Sequence, residues 1–178
     1  MKIKLIAILA AALLLTSCSQ IVGLAIGGPD IDFNADIEAI GLGVKKFEAN
    51  TSKSGSVKTP EDFKIISENN GAILDEIDAA TESFLLDIER ASSKLPDEDT
   101  AETPSKSKLL AWAEGYKSWV YFQKQNQMIG EECLRQKSEW LNCILRNFST
   151  TAQNESSSQI KLIAAVQGIQ EWRKLAGK

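Results

Sequence analysis

Three cysteines and no histidine limit the chemistry that this chain can support. The 178-residue sequence contains Cys18, Cys133 and Cys143. Without histidine it cannot build a Ser-His-Asp or Cys-His hydrolase site, a histidine metal site or a histidine general base. Three thiolates are too few for a four-cysteine zinc or iron–sulfur centre. We therefore expect no metal and no other cofactor.

Carboxylates are the remaining groups that could perform acid–base chemistry. A glycosidase needs two of them at a defined separation, one with its pKa raised by burial. The spacing singles out no such pair, and most carboxylates flank apolar seams, which is typical of a solvated helix surface. The clusters considered are Asp75, Glu76 and Asp78, then Glu131 and Glu132, and Glu114. The sequence therefore predicts a protein that is not an enzyme.

The overall charge excludes one class of partner. The formal net charge is −4, whereas proteins that bind nucleic acids by neutralising phosphates are basic. We expect no nucleic-acid partner.

The N-terminal segment has the parts of an export signal. Lys2 and Lys4 precede an unbroken apolar run of 11 residues over 5–15. As a helix this run spans about 16 Å, well short of the roughly 30 Å hydrocarbon core of a bilayer. It has instead the length of the apolar region of a signal peptide.

The residues that follow, Leu15-Thr16-Ser17-Cys18, resemble the lipobox of bacterial lipoproteins, in which an aliphatic and two small residues precede cysteine. The resemblance covers residues 1–18 only. It implies removal of a signal peptide over 1–17 and attachment of diacylglyceryl to the thiol of Cys18, often with acylation of the new amine. The alternatives are an ordinary secretory signal and a eukaryotic secreted protein with sequons at Asn50, Asn147 and Asn154.

The resemblance also implies a location on a membrane and outside the cytoplasm. Ser19 in place of aspartate favours the outer membrane if the source has two membranes, and otherwise the outer face of the cell membrane. Removing Lys2 and Lys4 from the 20 basic side chains leaves 18 against 24 acidic ones, a net charge of −6. An acidic body is not attracted to an anionic surface, so the acyl chains must supply the attachment.

Apolar periodicity predicts a single helical domain over residues 30–178, after a membrane-proximal apolar linker over 18–29. Apolar residues three and four apart predict a first helix over 33–47. Thr59 and Pro60 predict the start of a second helix of about 36 residues, which Pro96 would end. No alternating run typical of a strand occurs.

A third helix is predicted to start at Thr103-Pro104 and to continue to residue 148, because its apolar residues before and after a polar stretch keep phase. A polar linker over 149–158 and a last helix over 160–176 follow. The predicted fold is all-α, a bundle of about four helices around a long antiparallel helical hairpin. Its core includes Trp112, Tyr116, Trp119 and Phe122, while Leu110 and Tyr121 point away from the core.

A polar waist interrupts the apolar seam of the predicted hairpin. If the second and third helices pair about the loop at 96–103, the numbers of facing residues sum to about 199. Asn70 then faces the stretch 126–130, and the seam is interrupted at this height by Asn70 on one helix and by Gln123, Asn126 and Gly130 on the other. We interpret this waist as a buried polar contact that fixes helix alignment. The alternative is a small polar pocket.

Cys133 and Cys143 could form a disulfide in an extracytoplasmic compartment. In one continuous helix, ten residues separate them by about 15 Å, whereas a disulfide needs Cα atoms within about 7 Å. The shared phase of the flanking apolar residues favours the continuous helix without the bond. A turn between residues 134 and 142, with the disulfide formed, is the alternative.

Taken together, these features predict a lipid-anchored, extracytoplasmic helical protein. Its predicted function is non-catalytic binding or scaffolding in the cell envelope, with a protein partner of unknown identity and the membrane as its second contact. One alternative is a small-ligand binder or sensor that uses the polar waist and the aromatic face. A carboxylate-based envelope hydrolase is the remote alternative.

Overall fold

Four α-helices account for most of the computed structural model, which describes residues 33–100 and 103–175. They are α1 (Phe33–Thr51), α2 (Pro60–Ala91), α3 (Lys106–Leu134) and α4 (Trp140–Leu175). Short 3-10 turns, Ser52–Ser56 and Lys137–Glu139, follow α1 and precede α4. No strand occurs in the described ranges, and the predicted all-α class is confirmed. Cys18 and the predicted linker over 18–29 lie outside them.

The start of α2 is fixed by a capping box. The Thr59 hydroxyl accepts a hydrogen bond from the Asp62 backbone N–H at 3.1 Å, and the Asp62 carboxylate accepts one from the Thr59 N–H at 3.1 Å. These reciprocal bonds satisfy N–H groups that have no partner within the helix. The helix continues unbroken through residues 69–71. The helix ends at Ala91, before the predicted end at Pro96. Leu95 lies in the turn that follows and is still buried.

Ser105, rather than the predicted Thr103, caps α3. Its hydroxyl accepts from the Lys108 N–H, and its own N–H donates to the Asp99 carboxylate at 2.9 Å. Lys108 Nζ also donates to Asp99, at 2.7 Å. The preceding acidic loop is therefore tied to the first turn of α3, which moves the helix start two residues beyond the sequence prediction.

The prediction of one continuous helix to residue 148 is wrong. The chain reverses after Leu134, and α4 begins at Trp140 and runs through the predicted linker over 149–158 to Leu175. That linker was inferred from its serine, threonine and asparagine content. It contains no glycine or proline, and polar residues alone cost only tenths of a kcal/mol each in a helix.

Consecutive helices are antiparallel, as ion pairs between them show. Lys46 of α1 contacts Glu76 of α2 at 2.8 Å. Between α2 and α3, Glu82 pairs with Lys117, and Asp75 pairs with Lys124 at 2.9 Å. Both of these pairs have residue numbers that sum to 199, which agrees with the predicted register of the hairpin. Between α3 and α4, Lys161 pairs with Glu114 at 2.7 Å.

Side chains from all four helices form one core. Phe33 and Phe84 pack edge to face across α1 and α2, with ring centroids 5.8 Å apart. Phe47 of α1 reaches Trp119 of α3 in the same way at 5.2 Å. Within the two described ranges, no helix is both long enough and apolar enough to cross a membrane.

Helices α3 and α4 approach each other closely at two glycines. A Cβ atom on Gly115 of α3 would lie 2.7 Å from the Lys161 carbonyl oxygen of α4. A Cβ atom on Gly168 of α4 would lie 2.6 Å from the Trp112 indole nitrogen. The absence of a side chain at these positions lets α4 pack directly on the backbone and aromatic surface of α3.

Candidate functional site

Asn70 belongs to a polar contact between α1 and α2. Its carboxamide oxygen accepts from the Asn50 amide at 2.9 Å, and its own amide donates to the Thr51 hydroxyl at 3.1 Å. Asn50 is buried and also donates to the Ile66 carbonyl at 3.0 Å. The expectation that the Asn70 side chain faces α3 is therefore wrong, because it turns toward the end of α1. The predicted first helix ended at residue 47, before Asn50, so this role was not predicted from the sequence.

On the α3 side, the waist is filled by Gln127. A Cβ atom on Gly71 would lie 2.6 Å from the Gln127 amide nitrogen, so this side chain packs directly against the α2 backbone. The same amide donates to Glu131 at 3.0 Å. Gln123 and Asn126 are half-buried on α3 at the same level. Polar side chains of three helices therefore lie near the level of the predicted waist, and its role as an alignment device or a pocket stays a prediction.

Cys133 and Cys143 form a disulfide at the reversal between α3 and α4, with their Cα atoms 5.4 Å apart. Both residues are buried. The Asn147 amide donates to the Cys143 carbonyl oxygen at 2.9 Å and lies 3.5 Å from the Cys143 sulfur and 3.7 Å from the Cys133 sulfur. The expectation of two unbonded thiols in a continuous helix is therefore wrong, because the chain turns between the two cysteines and they form a disulfide.

An aromatic contact from α2 supports the same reversal. Phe63, near the start of α2, packs against Trp140, the first residue of α4, with ring centroids 5.9 Å apart. A Cβ atom on Gly130 of α3 would lie 3.0 Å from the Phe63 ring. Phe63 therefore holds the α3–α4 end against α2. The apolar pattern had placed Trp140 on a continuous helix, and no short motif in the sequence indicates this contact.

The aromatic face of α3 lies in the core, as predicted. Trp112, Tyr116 and Trp119 are buried, and Phe122 is half-buried. Leu110 and Tyr121 are exposed on the opposite side of the helix. The aromatic residues therefore stabilise the bundle, and the exposed pair is available at the surface.

Most carboxylates that were candidates for acid–base chemistry lie at the surface in ion pairs, and Glu131 accepts a hydrogen bond from Gln127. Lys124 contacts Asp75 at 2.9 Å and Asp78 at 2.7 Å. Burial acts to lower the pKa of Lys124, but the hydrogen bonds that Lys124 donates to the two aspartates outweigh burial, and the net effect is a raised pKa. Glu114 is exposed, and its hydrogen bond from Lys161 lowers its pKa. Among residues 33–100 and 103–175, no three cysteine, histidine or acidic side chains are placed to bind a metal ion.

Glu48 of α1 is the half-buried carboxylate whose pKa burial raises, against the opposing effect of Lys45. One of its oxygens is buried without a hydrogen-bond partner. Glycoside hydrolysis needs two carboxylates at a defined separation. Glu48 is one half-buried carboxylate and does not make such a pair.

A cavity of about 390 Å³ lies against the first turns of α4, lined by Glu139, Asn142, Leu145 and Arg146. It is formed by one helix face and is widely open, unlike the enclosed pockets that bury a small ligand. It lies away from the polar waist. The chain matches no protein-family model, no curated protein and no solved structure.

Proposed function

We propose that this protein is a lipid-anchored, extracytoplasmic helical module that binds a protein partner and catalyses no reaction. The Cys133–Cys143 disulfide is the observation that carries the proposal. Disulfides persist in oxidising compartments and are rare in the cytosol. The disulfide uses two of the three cysteines in the chain. Cys18 is therefore the cysteine whose thiol is available for lipid attachment.

The anchor follows from the lipobox resemblance at residues 15–18. One acyl chain holds a protein only marginally, because each buried methylene contributes about 0.8 kcal/mol, whereas two or three chains hold it stably. The net charge of −6 after removal of residues 1–17 gives no electrostatic attraction to anionic lipids. Acyl chains at Cys18 would therefore supply the attachment. Ser19, in place of aspartate after the cysteine, favours the outer membrane as the destination in a two-membrane cell.

Binding is favoured over catalysis by where the polar groups lie. Several exposed carboxylates of the described residues are paired with lysines, and the aromatic face is used for packing. Large apolar side chains are exposed on all four helices, and they would serve as a protein-contact surface where they lie side by side.

Metabolic labelling with a clickable palmitate analogue tests the anchor. The wild-type protein should incorporate the label, and Cys18→Ala should lose it and accumulate with its signal peptide uncut. The matched control is Cys133→Ala/Cys143→Ala, which removes two cysteines while leaving Cys18 in place and should remain labelled. Equal labelling of the wild type and Cys18→Ala would refute the anchor.

A further inference from the structure

The acidity of the protein is concentrated on α2. This helix carries nine acidic side chains and two basic ones. Over their described lengths, α3 has three acidic and four basic side chains, and α4 has two acidic and four basic. The negative net charge of the whole chain is therefore presented mainly by one helix of the bundle.

Exposed apolar side chains recur along the outer face of the same helix, about 10 Å apart and with polar residues between them, and we call this set the apolar stripe. Its members are Ile65, Ala72, Ala79 and Leu86, which follow one another at intervals of seven residues and are all exposed. Ile65 is 59% exposed and Leu86 is 51% exposed, so the two large side chains at the ends of the stripe are largely uncovered. At 1.5 Å per residue the stripe is about 32 Å long.

Acidic side chains border this stripe. On the side toward α3, five acidic residues repeat with the same interval of seven, namely Glu61, Glu68, Asp75, Glu82 and Glu89. On the side toward α1, Glu76 pairs with Lys46. Lysines of α3 neutralise only Asp75 and Glu82 in the middle of the row. Glu68 pairs with Lys64 of the same helix at 3.6 Å. The acidic side chains of the row that no described ion pair offsets are therefore Glu61 and Glu89 at its two ends, four residues before Ile65 and three residues after Leu86.

The interval of seven indicates the kind of partner. In a straight α-helix such a repeat drifts by about 20° per heptad, and a second helix follows it by wrapping with a left-handed sense. The alanines in the middle keep the stripe shallow, so that large side chains of a partner helix can rest on it. A flat lipid surface does not follow a drifting stripe, and an anionic leaflet would be repelled by α2.

We infer that the outer face of α2 is a docking surface for an amphipathic helix of another protein that carries basic residues beside its apolar seam. The inference rests on the proposed binding function and names the surface and the chemistry of the partner. A second copy of this chain is a poor occupant, since two acidic rows would face each other. A basic helix places opposite charges beside the two ends of the row, which speeds association and selects against acidic partners.

The test uses the mature lipidated protein in nanodiscs of neutral phosphatidylcholine, with empty nanodiscs as the blank. The probe is a fluorescent synthetic helix of four heptads, with leucine along its seam and lysine at the flanking positions. A charge-reversed peptide with glutamate in place of lysine is the second probe. Fluorescence anisotropy should give saturable binding of the lysine peptide that weakens as salt is raised, and no binding of the glutamate peptide.

Two double variants locate the binding surface. Ile65→Ser/Leu86→Ser should weaken binding of the lysine peptide at least tenfold. Leu110→Ser/Met128→Ser, which changes exposed residues of α3, should leave the affinity within twofold. Melting curves of both variants verify that the bundle remains folded.

Several results would overturn the inference: no binding of the lysine peptide, equal binding of the two peptides, or equal weakening by the two double variants. The inference would also be overturned if the wild type self-associated and Ile65→Ser/Leu86→Ser abolished the self-association, because the outer face of α2 would then bind a second copy of this chain. Failure of the anchor is a separate outcome. A protein that carries no acyl mass would refute the anchor, and the same titration carried out in solution would still decide the docking surface.

Discussion

The Phe63 ring of α2 packs against Trp140, the first residue of α4, with centroids 5.9 Å apart. This contact lies at the end of the bundle where the Cys133–Cys143 disulfide closes the reversal between α3 and α4. A covalent bond and an aromatic contact thus stabilise the same turn, and the turn sets the course of the whole of α4.

Removal of the disulfide should weaken the fold without abolishing it. A closed loop of about ten residues restricts the unfolded chain, and we expect Cys133→Ala/Cys143→Ala to lower the free energy of unfolding by about 2–3 kcal/mol. Urea denaturation measures the change. A non-reducing digest of the wild type should contain the linked peptides. Two separate peptides, together with a variant as stable as the wild type, would contradict the reversal between α3 and α4.

Gly115→Ala should destabilise the protein by about 1–3 kcal/mol, because its Cβ would lie 2.7 Å from the Lys161 carbonyl oxygen and the helices would have to separate. Gly41→Ala is the matched control, since a Cβ there meets no atom within 4 Å. The control should gain up to about 1 kcal/mol from the better helix propensity of alanine. Thermal melts compare the two variants, and equal effects would mean that α3 and α4 are not in close contact at Gly115.

Asn70→Leu should lower stability by about 1–3 kcal/mol, because it leaves the buried Asn50 amide with one hydrogen bond fewer and removes the bond to Thr51. Asn69→Leu changes an exposed residue one position earlier on α2, and we expect an effect within about 0.5 kcal/mol. Chemical denaturation at neutral pH measures both. A more stable Asn70→Leu variant would show that the polar contact with α1 contributes nothing.

Acid should weaken the capping box of α2. Hydrogen bonds from the Lys58 backbone N–H, and then from Thr59, lower the pKa of Asp62 below its ordinary value of 3.8. The unfolded state therefore binds the proton more readily. This contribution to stability is fully present above pH 3.8 and is lost as the pH falls through the lower pKa of the folded state. Asp62→Asn should flatten the dependence of melting temperature on pH in this acidic range, and Glu61→Gln, which leaves the capping box intact, is the control variant. Parallel curves for Asp62→Asn and the wild type would refute the capping role.

Glu48 should act in the opposite direction. Burial raises its pKa above the ordinary value of 4.5, so its favourable contribution is present below pH 4.5 and is lost as the pH rises through the higher pKa of the folded state. Glu48→Gln should therefore stabilise the protein at pH 7 and give a smaller gain at pH 4. The control is Glu38→Gln, an exposed residue of the same helix. A loss of stability at pH 7 would indicate that the Glu48 charge is favourably solvated.

The parts of the fold that were predicted from sequence are those set by local pattern. Thr59 and Pro60 placed the start of α2, and the position of the loop at 96–103 placed the register of α2 against α3. The reversal after Leu134 was not predicted because the apolar residues on its two sides keep phase by coincidence, and only the long-range contact of Phe63 with Trp140 distinguishes a turn from a continuous helix. Asn70 was placed at the correct level but assigned to the wrong neighbour, since a helical pattern gives the height of a residue and not the rotamer of its side chain.

The intact mass of the protein, purified from its native membrane under non-reducing conditions, tests the central claim most directly. The account predicts a chain that begins at Cys18, carries the mass of two or three acyl chains and is lighter by the two hydrogens that a Cys133–Cys143 disulfide removes. A mature protein with an unmodified peptide mass would contradict the lipid anchor, and with it the proposal of a tethered extracytoplasmic binding module.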